Sequence, residues 1–303
     1  MAAAAVARFY DGEHVLTNLA ANQDSDSVLG GLKLSSEGGA EEIWITDLSW
    51  TSIATANHLR ALAGNGARIY WIDHHRTAVS RAGAAEFDVP FQGRVLSEQY
   101  SAARLTFNYL KRKTRSMDPA RRRHFETFAP FAAIADDHDR WIHEIPESAA
   151  WALAVQTLGG MASYREILRM RQPRMTRKLK AALEEGQAAM EHSFEIASAT
   201  RIDRHLNNGL IVRAACCFGY SSEVASRLYA EQSRTVVALF DLRSQGVSLR
   251  RSVDCQVDLS ELARSFGGGG HAAAAGFSQL DLARAPAQKL LDLLEQRLEA
   301  GAQ

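Results

Sequence analysis

An aspartate followed by two histidines, Asp73-His74-His75, closes the apolar run Arg68–Asp73 (RIYWID). A carboxylate beside two imidazoles offers the oxygen and nitrogen donors that suit a divalent cation such as Mn²⁺. A second aspartate, Asp47, ends another run rich in β-branched residues, Ile43–Asp47. A third acidic group, Asp136-Asp137-His138-Asp139, follows the apolar stretch Phe128–Ala135. Carboxylates at this density repel one another unless they are solvated or bound to cations. The fourth feature is Gly267-Gly268-Gly269-Gly270-His271. Such glycines let backbone N–H groups approach an anion without side chains in the way, and His271 adds a donor. A short helix after the glycines is expected to turn its positive end toward a phosphate. Upstream, Ser248-Leu249-Arg250-Arg251 offers cations from a strand. Side chains alternate along a strand, so only one of the two arginines should face such a pocket.

The elements that must position these residues follow from periodicity and turn signals. His14–Ala20 and Ile43–Asp47 read as strands. A helix over Ser52–Leu62 ends at the Gly64-Asn65-Gly66 turn, and Arg68–Asp73 is the next strand. Strand, helix, strand at this spacing is a βαβ unit with parallel strands. Ligands in open α/β sheets bind beyond the carboxyl ends of the strands, where Asp47 and Asp73 fall. From Ser101, a candidate N-cap, to about Thr157 the pattern is mostly helical. Residues 171–198 are highly charged and read as a helical connector, with the basic side chains on a solvated face. The α/β pattern then restarts with strand Leu210–Phe218, helix Ser221–Gln232, strands Thr235–Leu242 and Val247–Val253, helix Ser260–Phe266 and strand Ala275–Leu280. A last helix carries Leu290, Leu294 and Leu298 on one face, with Leu291 beside it.

Composition narrows the partners. The chain has 303 residues, 46% of them hydrophobic, which accommodates two domains. Lys plus Arg and Asp plus Glu number 35 each, so a long polyanion-binding surface is disfavoured and a local pocket for a small phosphorylated substrate is not. Cys216, Cys217 and Cys255 lack metal-ligand spacing and read as thiols in a reducing compartment. The apolar start MAAAAVARFY has no basic n-region and is too short to span a membrane, so a cytoplasmic protein with no membrane partner is expected.

Together these motifs resemble the DHH phosphoesterase superfamily with a C-terminal DHHA1 domain, in its nanoRNase and cyclic-nucleotide-phosphodiesterase-like branch. Asp73-His74-His75 is similar to the naming motif. Val257–Ala263, Phe266 and GGGGHAAAAGF are similar to the DHHA1 signature over about twenty positions. The resemblance implies a parallel-sheet DHH domain (1–170), a helical connector (171–205) and a smaller α/β DHHA1 domain (206–303). It also implies a two-metal site, usually Mn²⁺, with Mg²⁺ or Co²⁺ as alternatives. By the same likeness Asp47 bridges the metals, His74 is a ligand supported by Asp73, and Asp136 or Asp137 completes the set, Asp137 being preferred. His75 and Asp73 are the catalytic pair. Gly267, Gly268, Gly269, Gly270, His271 and Arg250 bind the rest of a short oligonucleotide or nucleotide, and a homodimer is compatible with the pattern. A RecJ-like single-strand exonuclease and a catalytically impaired nucleic-acid-binding protein are the competing readings.

The family's first acidic motif has no match. Asp24 and Asp26 lie only about twenty residues before Asp47, too few for the crossover and returning strand between the first two motifs. Reading Ala2–Tyr10 as the helix that follows that motif places it just ahead of Met1. Asp24 and Asp26 are then loop residues, and the chain as written has impaired activity. The coding sequence upstream of Met1 should therefore hold an in-frame strand ending in an Asp-x-Asp-Gly-like loop. An in-frame stop codon immediately upstream contradicts this.

Overall fold

Short capping signals set the frame of the first unit. The Ser52 hydroxyl accepts the Ala54 N–H at the start of one helix, and the Ser101 hydroxyl accepts the Arg104 N–H at the start of another. Each satisfies a backbone donor that has no partner inside its helix. The computed structural model describes residues 1–11, 13–21, 24–35, 41–229 and 233–278, with single helical positions at 282, 284, 291 and 294. It divides into two compact units, Met1–Gly186 and Gln187–Gln303.

In the first unit, α1 (Ala2–Phe9) and α2 (Ser25–Gly30) precede β1 (Glu42–Thr46), α3 (Ile53–Gly64), β2 (Arg68–Asp73), α4 (Arg76–Arg81) and β3 (Phe91–Leu96). Then come α5 (Ala102–Lys113), α6 (Pro119–Glu126), α7 (Ala129–Asp139), α8 (Ser148–Leu158) and α9 (Gly160–Leu168). The sheet has the order β1-β2-β3 and is parallel throughout. The central strand β2 is buried from Ile69 to Asp73, as expected of a parallel strand covered on both faces. One face packs Ile45, Ile69 and Trp71 with Trp50 and Leu59. A second core joins α1 to the following helices through Phe9, Phe107, Phe125, Phe128 and Phe131.

Two expectations need correction here. Residues 14–20 form no strand, and Leu16 and Leu19 are exposed, at 83% and 43%. An apolar run becomes a strand only with a ladder partner, and none is offered among the described residues. Conversely β3 was not expected. Its exposed Gln92 and Arg94 and its central Gly93 disguise an edge strand. Gly93 is required there because a Cβ would lie 2.1 Å from the Tyr109 hydroxyl.

The helix α10 (Arg177–Thr200) contains the boundary between the units. The second unit follows as β4 (Ile202–His205), β5 (Ile211–Cys217), α11 (Ser221–Tyr229), β6 (Thr235–Asp241), β7 (Gly246–Arg251), α12 (Leu259–Arg264), β8 (Gly269–His271) and β9 (Ala274–Ser278). Its mixed sheet has the order β4-β5-β6-β7-β9-β8, with only β5 and β6 parallel. Val236, Leu249, Leu259, Ala263 and Ala275 form its core. The expected helix positions Leu290 and Leu298, the strand end at 279–280 and the helix end at 230–232 lie outside the described residues.

One buried cation ties α1 to the end of α9. The Arg8 guanidinium, 3% exposed, donates to the carbonyls of Ile167 at 2.9 Å and Met170 at 2.5 Å and to the Thr127 hydroxyl at 3.1 Å. It also lies 5.3 Å from the Phe128 ring centroid. Arg8→Met strands these acceptors in an apolar setting, so urea denaturation should show a loss of about 3 kcal/mol. An unchanged midpoint would refute this clamp.

Candidate metal centre

The parallel ladder between β1 and β2 sets Thr46 opposite Ile72, and the next residue of each strand is an aspartate. The Asp47 N–H donates to the Ile72 carbonyl at 3.0 Å, and its backbone turns left-handed, φ 59°. That conformation is uncommon outside glycine but tolerated best by Asn and Asp. It leaves the Asp47 side chain half exposed beside the end of β2.

Asp73 is fully buried. Its Oδ1 accepts the backbone N–H groups of His74 and His75 and lies 2.7 Å from His75 Nδ1. His74 Nε2 lies 3.4 Å from Asp47 Oδ1 and 3.2 Å from Asp139 Oδ2. Asp139 is the last residue of α7, where the helix dipole disfavours negative charge. A cationic neighbour is therefore required to hold it there.

The titration of these groups reflects their crowding. Burial pushes the Asp139 carboxyl up, and Asp47 adds to the shift against the opposing pull of His74. Burial also works to raise Asp47, but the hydrogen bond from His74 and the charges of both histidines hold it below the ordinary carboxylate value. Burial works to lower both histidines and loses. Asp47 and Asp139 raise His74, while Asp73, with Asp47 and Asp139, raises His75 to about 9.

Donor atoms of Asp47, Asp73 and His75 all lie within 4.8 Å of one another. The second carboxylate oxygen of Asp73 is buried with no hydrogen-bond partner. A buried lone pair is costly unless a hydrogen-bond donor or a cation meets it. The residues present thus fit a hard or borderline divalent ion.

The expected residues separate into three groups. Asp47, Asp73, His74 and His75 converge. Asp136 and Asp137, expected as ligands, are committed elsewhere, and Asp139 takes the place beside His74. Asp136 accepts the Ser101 N–H at 2.6 Å and pairs with Arg104 at 3.0 Å, holding the start of α5. Asp137 accepts the Glu144 and Ile145 N–H groups and the Ser148 hydroxyl, closing the loop after α7. Asp26 is likewise structural, since it accepts the Thr51 and Ser52 N–H groups and the Thr51 hydroxyl ahead of α3.

The third group lies in the second unit. No helix follows the glycine run. Gly269, Gly270 and His271 form β8, hairpinned against β9. A Cβ on Gly268 would lie 2.1 Å from the Gly276 carbonyl oxygen, so the glycines permit close approach of two backbones. Arg250 donates to the hydroxyls of Ser222 at 2.7 Å and Ser248 at 2.9 Å and to the Leu249 carbonyl, while Arg251 donates to the Ala272 carbonyl. Burial lowers the Arg250 pKa from its ordinary value, with the charge of Glu223 pulling the other way.

Residues 210–300 match the DHHA1 domain model. The fold is similar to the DHH domain of a protein described as a member of a ribosomal-protein family, at 16% identity and a TM-score of 0.56, over 82% of this chain and 69% of that one. Residues 210–300 thus carry a DHHA1 domain, and the likeness to the solved structure is one of fold. A pGpG-specific phosphodiesterase from Vibrio cholerae also matches the chain, at a TM-score of 0.48 and 14% identity, over 99% and 95% of the two chains. An exopolyphosphatase-related protein from Bacteroides fragilis follows at 0.37 and 12%, over 91% and 76%. No curated protein sequence matches significantly. DHH phosphoesterases are hydrolases that typically depend on divalent metals. No described helix of the chain is long and apolar enough to cross a membrane.

Cation binding should release protons, because Asp47 and Asp139 raise the proton affinity of His74 against the opposing effect of its burial, and His74 must lose its proton to bind an ion. Mn²⁺ affinity should rise as the pH climbs above about 6.5, the ordinary imidazole value, and calorimetry in buffers of different ionisation heat should report net proton release. Asp139→Asn should weaken Mn²⁺ binding by about tenfold or more with little change in stability. Asp136→Ala should instead cost about 2 kcal/mol in unfolding experiments, by orphaning the buried Ser101 N–H. The opposite assignment of effects would restore Asp136 as the ligand.

Proposed function

We propose that this chain is a divalent-metal-dependent phosphodiesterase acting on short oligonucleotides or small nucleotides. The observation that carries the reading is the convergence of Asp47, Asp73, His74, His75 and Asp139 beyond the carboxyl ends of neighbouring parallel strands. Asp47, Asp73, His74 and Asp139 would hold the metal, with Mn²⁺ as the preferred ion and two ions as the expected number. A bound divalent ion supplies Lewis acidity toward a phosphoryl oxygen and a more acidic water.

The chain's own residues do the rest. Asp73 orients the His75 ring through Nδ1 and keeps it cationic, so the imidazolium neutralises charge that grows on the phosphoryl oxygens. Water oxygen bonds to phosphorus as the bond to the leaving ribose oxygen breaks, and that oxygen takes up a proton. His74, gripped between Asp47 and Asp139, fixes the spacing of the two carboxylates. In the second unit, Arg250 is a desolvated cation whose guanidinium is aimed by two serine hydroxyls, which suits it to a substrate phosphate. His271 and the Gly267–Gly270 backbone are proposed to share that task.

A metal-dependence assay on a dinucleotide, a cyclic dinucleotide and a longer single strand tests the reading. Turnover of the dinucleotide with Mn²⁺ and its loss with a chelator are expected. His75→Ala should lower kcat by about 100-fold or more with little change in KM, and Arg250→Ala should chiefly raise KM. The reverse split would overturn the assigned roles.

A further inference from the structure

The chain is neutral as a whole, yet its charge is unevenly spread. Between Arg165 and Lys180 stand seven cations, Arg165, Arg169, Arg171, Arg174, Arg177, Lys178 and Lys180, against one acid, Glu166. Glu166 is already saturated. It accepts the Lys178 ammonium at 3.0 Å and the Thr176 hydroxyl at 3.1 Å, with Arg169 3.8 Å away. Arg171, Arg174, Arg177 and Lys180 are exposed and make no ion pair among the described residues.

The placement of these cations runs against the stability of the fold. Arg177, Lys178 and Lys180 occupy the first turn of α10, a 24-residue helix with no acid in that turn. Positive charge at the positive end of a helix is destabilising, and acids are favoured there. A second basic run, Lys111, Arg112 and Lys113, sits in the last turn of α5, where the same dipole favours it. The dipole thus accounts for the α5 cluster, whereas in the α10 cluster only Lys178 has an ion-pair partner among the described residues, Glu166. Arg171, Arg174, Arg177 and Lys180 are left open to an anion from outside the chain.

We propose that the segment Arg171–Lys180 is an exosite for the phosphate backbone of a single-stranded nucleic acid, extending the grip on substrates longer than a dinucleotide. The choice of a nucleic-acid strand rests on the phosphodiesterase reading. A membrane surface is a poorer fit, because none of the exposed large apolar side chains falls between Arg165 and Lys180, while Ile167, Met170 and Leu179 are buried. The absence of exposed aromatics in the segment leaves no base-stacking platform, so binding should be indifferent to sequence.

The test compares the full chain with an Arg171→Ala/Arg174→Ala/Arg177→Ala variant, using a fluorescein-labelled RNA of about 12 nucleotides and mixed sequence, with EDTA to stop turnover. At low salt the variant should bind about tenfold more weakly or worse. The slope of log K against log salt should shrink by about 2, as expected for three lost phosphate contacts on a single strand. The matching triple Arg→Lys variant should retain most of the affinity, and the alanine variant should melt no earlier than the parent, since its helix start is relieved of repulsion. Unchanged RNA affinity, no measurable RNA binding by the parent, or a loss confined to inorganic polyphosphate or phosphatidylglycerol vesicles would each overturn the proposal. Hydrolysis of a dinucleotide with Mn²⁺ is followed in parallel. A parent that binds RNA through these arginines but cleaves nothing keeps the exosite and removes the activity. A parent that cleaves the dinucleotide while the variant binds RNA normally does the reverse.

Discussion

The parallel pairing of β1 with β2 is the constraint on which the candidate centre depends. It sets the ends of two strands level, so that Asp47 and Asp73 terminate side by side. Two carboxylates brought this close repel each other, and α7 delivers a third in Asp139. Among the described residues, His74 and His75 supply the nearest compensation within ion-pair distance. The raised affinity of both imidazoles for protons measures how strongly the acidic group calls for positive charge. A proton meets that need only in part, for the outer oxygen of Asp73 stays buried without a partner. A divalent cation brings such a group more charge than a proton does.

Much of the rest of the first unit exists to hold that geometry. Asp26 fixes the loop that leaves β1, and Ser52 starts the crossover helix. Asp136 and Asp137 brace the two sides of α7, one to α5 and one to its own exit loop, so that Asp139 is presented at the helix end. Arg8 locks α1 against α9 and the aromatic core beneath. Acidic residues that look interchangeable in the sequence therefore divide into those that build the frame and those that gather at the candidate centre.

The sequence was legible where one physical signal dominated. RIYWID is uninterrupted and apolar, and its strand boundaries agree with the structure. Ser52 and Ser101 are good N-caps followed by helical periodicity, and both helices begin after them. Legibility failed where partners decide. Residues 14–20 have strand-like composition but no ladder, while β3 has a ladder but a glycine at its centre. The glycine run read as an anion cradle ahead of a helix, and it is a hairpin whose backbones touch. Three aspartates in four residues of one helix point in directions about 100° apart per step. Sequence alone does not give the rotation of that helix, so it could not tell which of the three carboxylates sits beside His74.

Charge shows a similar division between whole and part. A neutral chain argued against a polyanion partner, yet one short segment concentrates unpaired cations where a helix least tolerates them. The most direct test of the central claim is anomalous diffraction from crystals soaked in Mn²⁺. The account predicts a peak within bonding distance of Asp47, with Asp73, His74 or His75 and Asp139 around it. A peak held instead by Asp136 or Asp137, or none near the ends of β1 and β2 at saturating Mn²⁺, would contradict it.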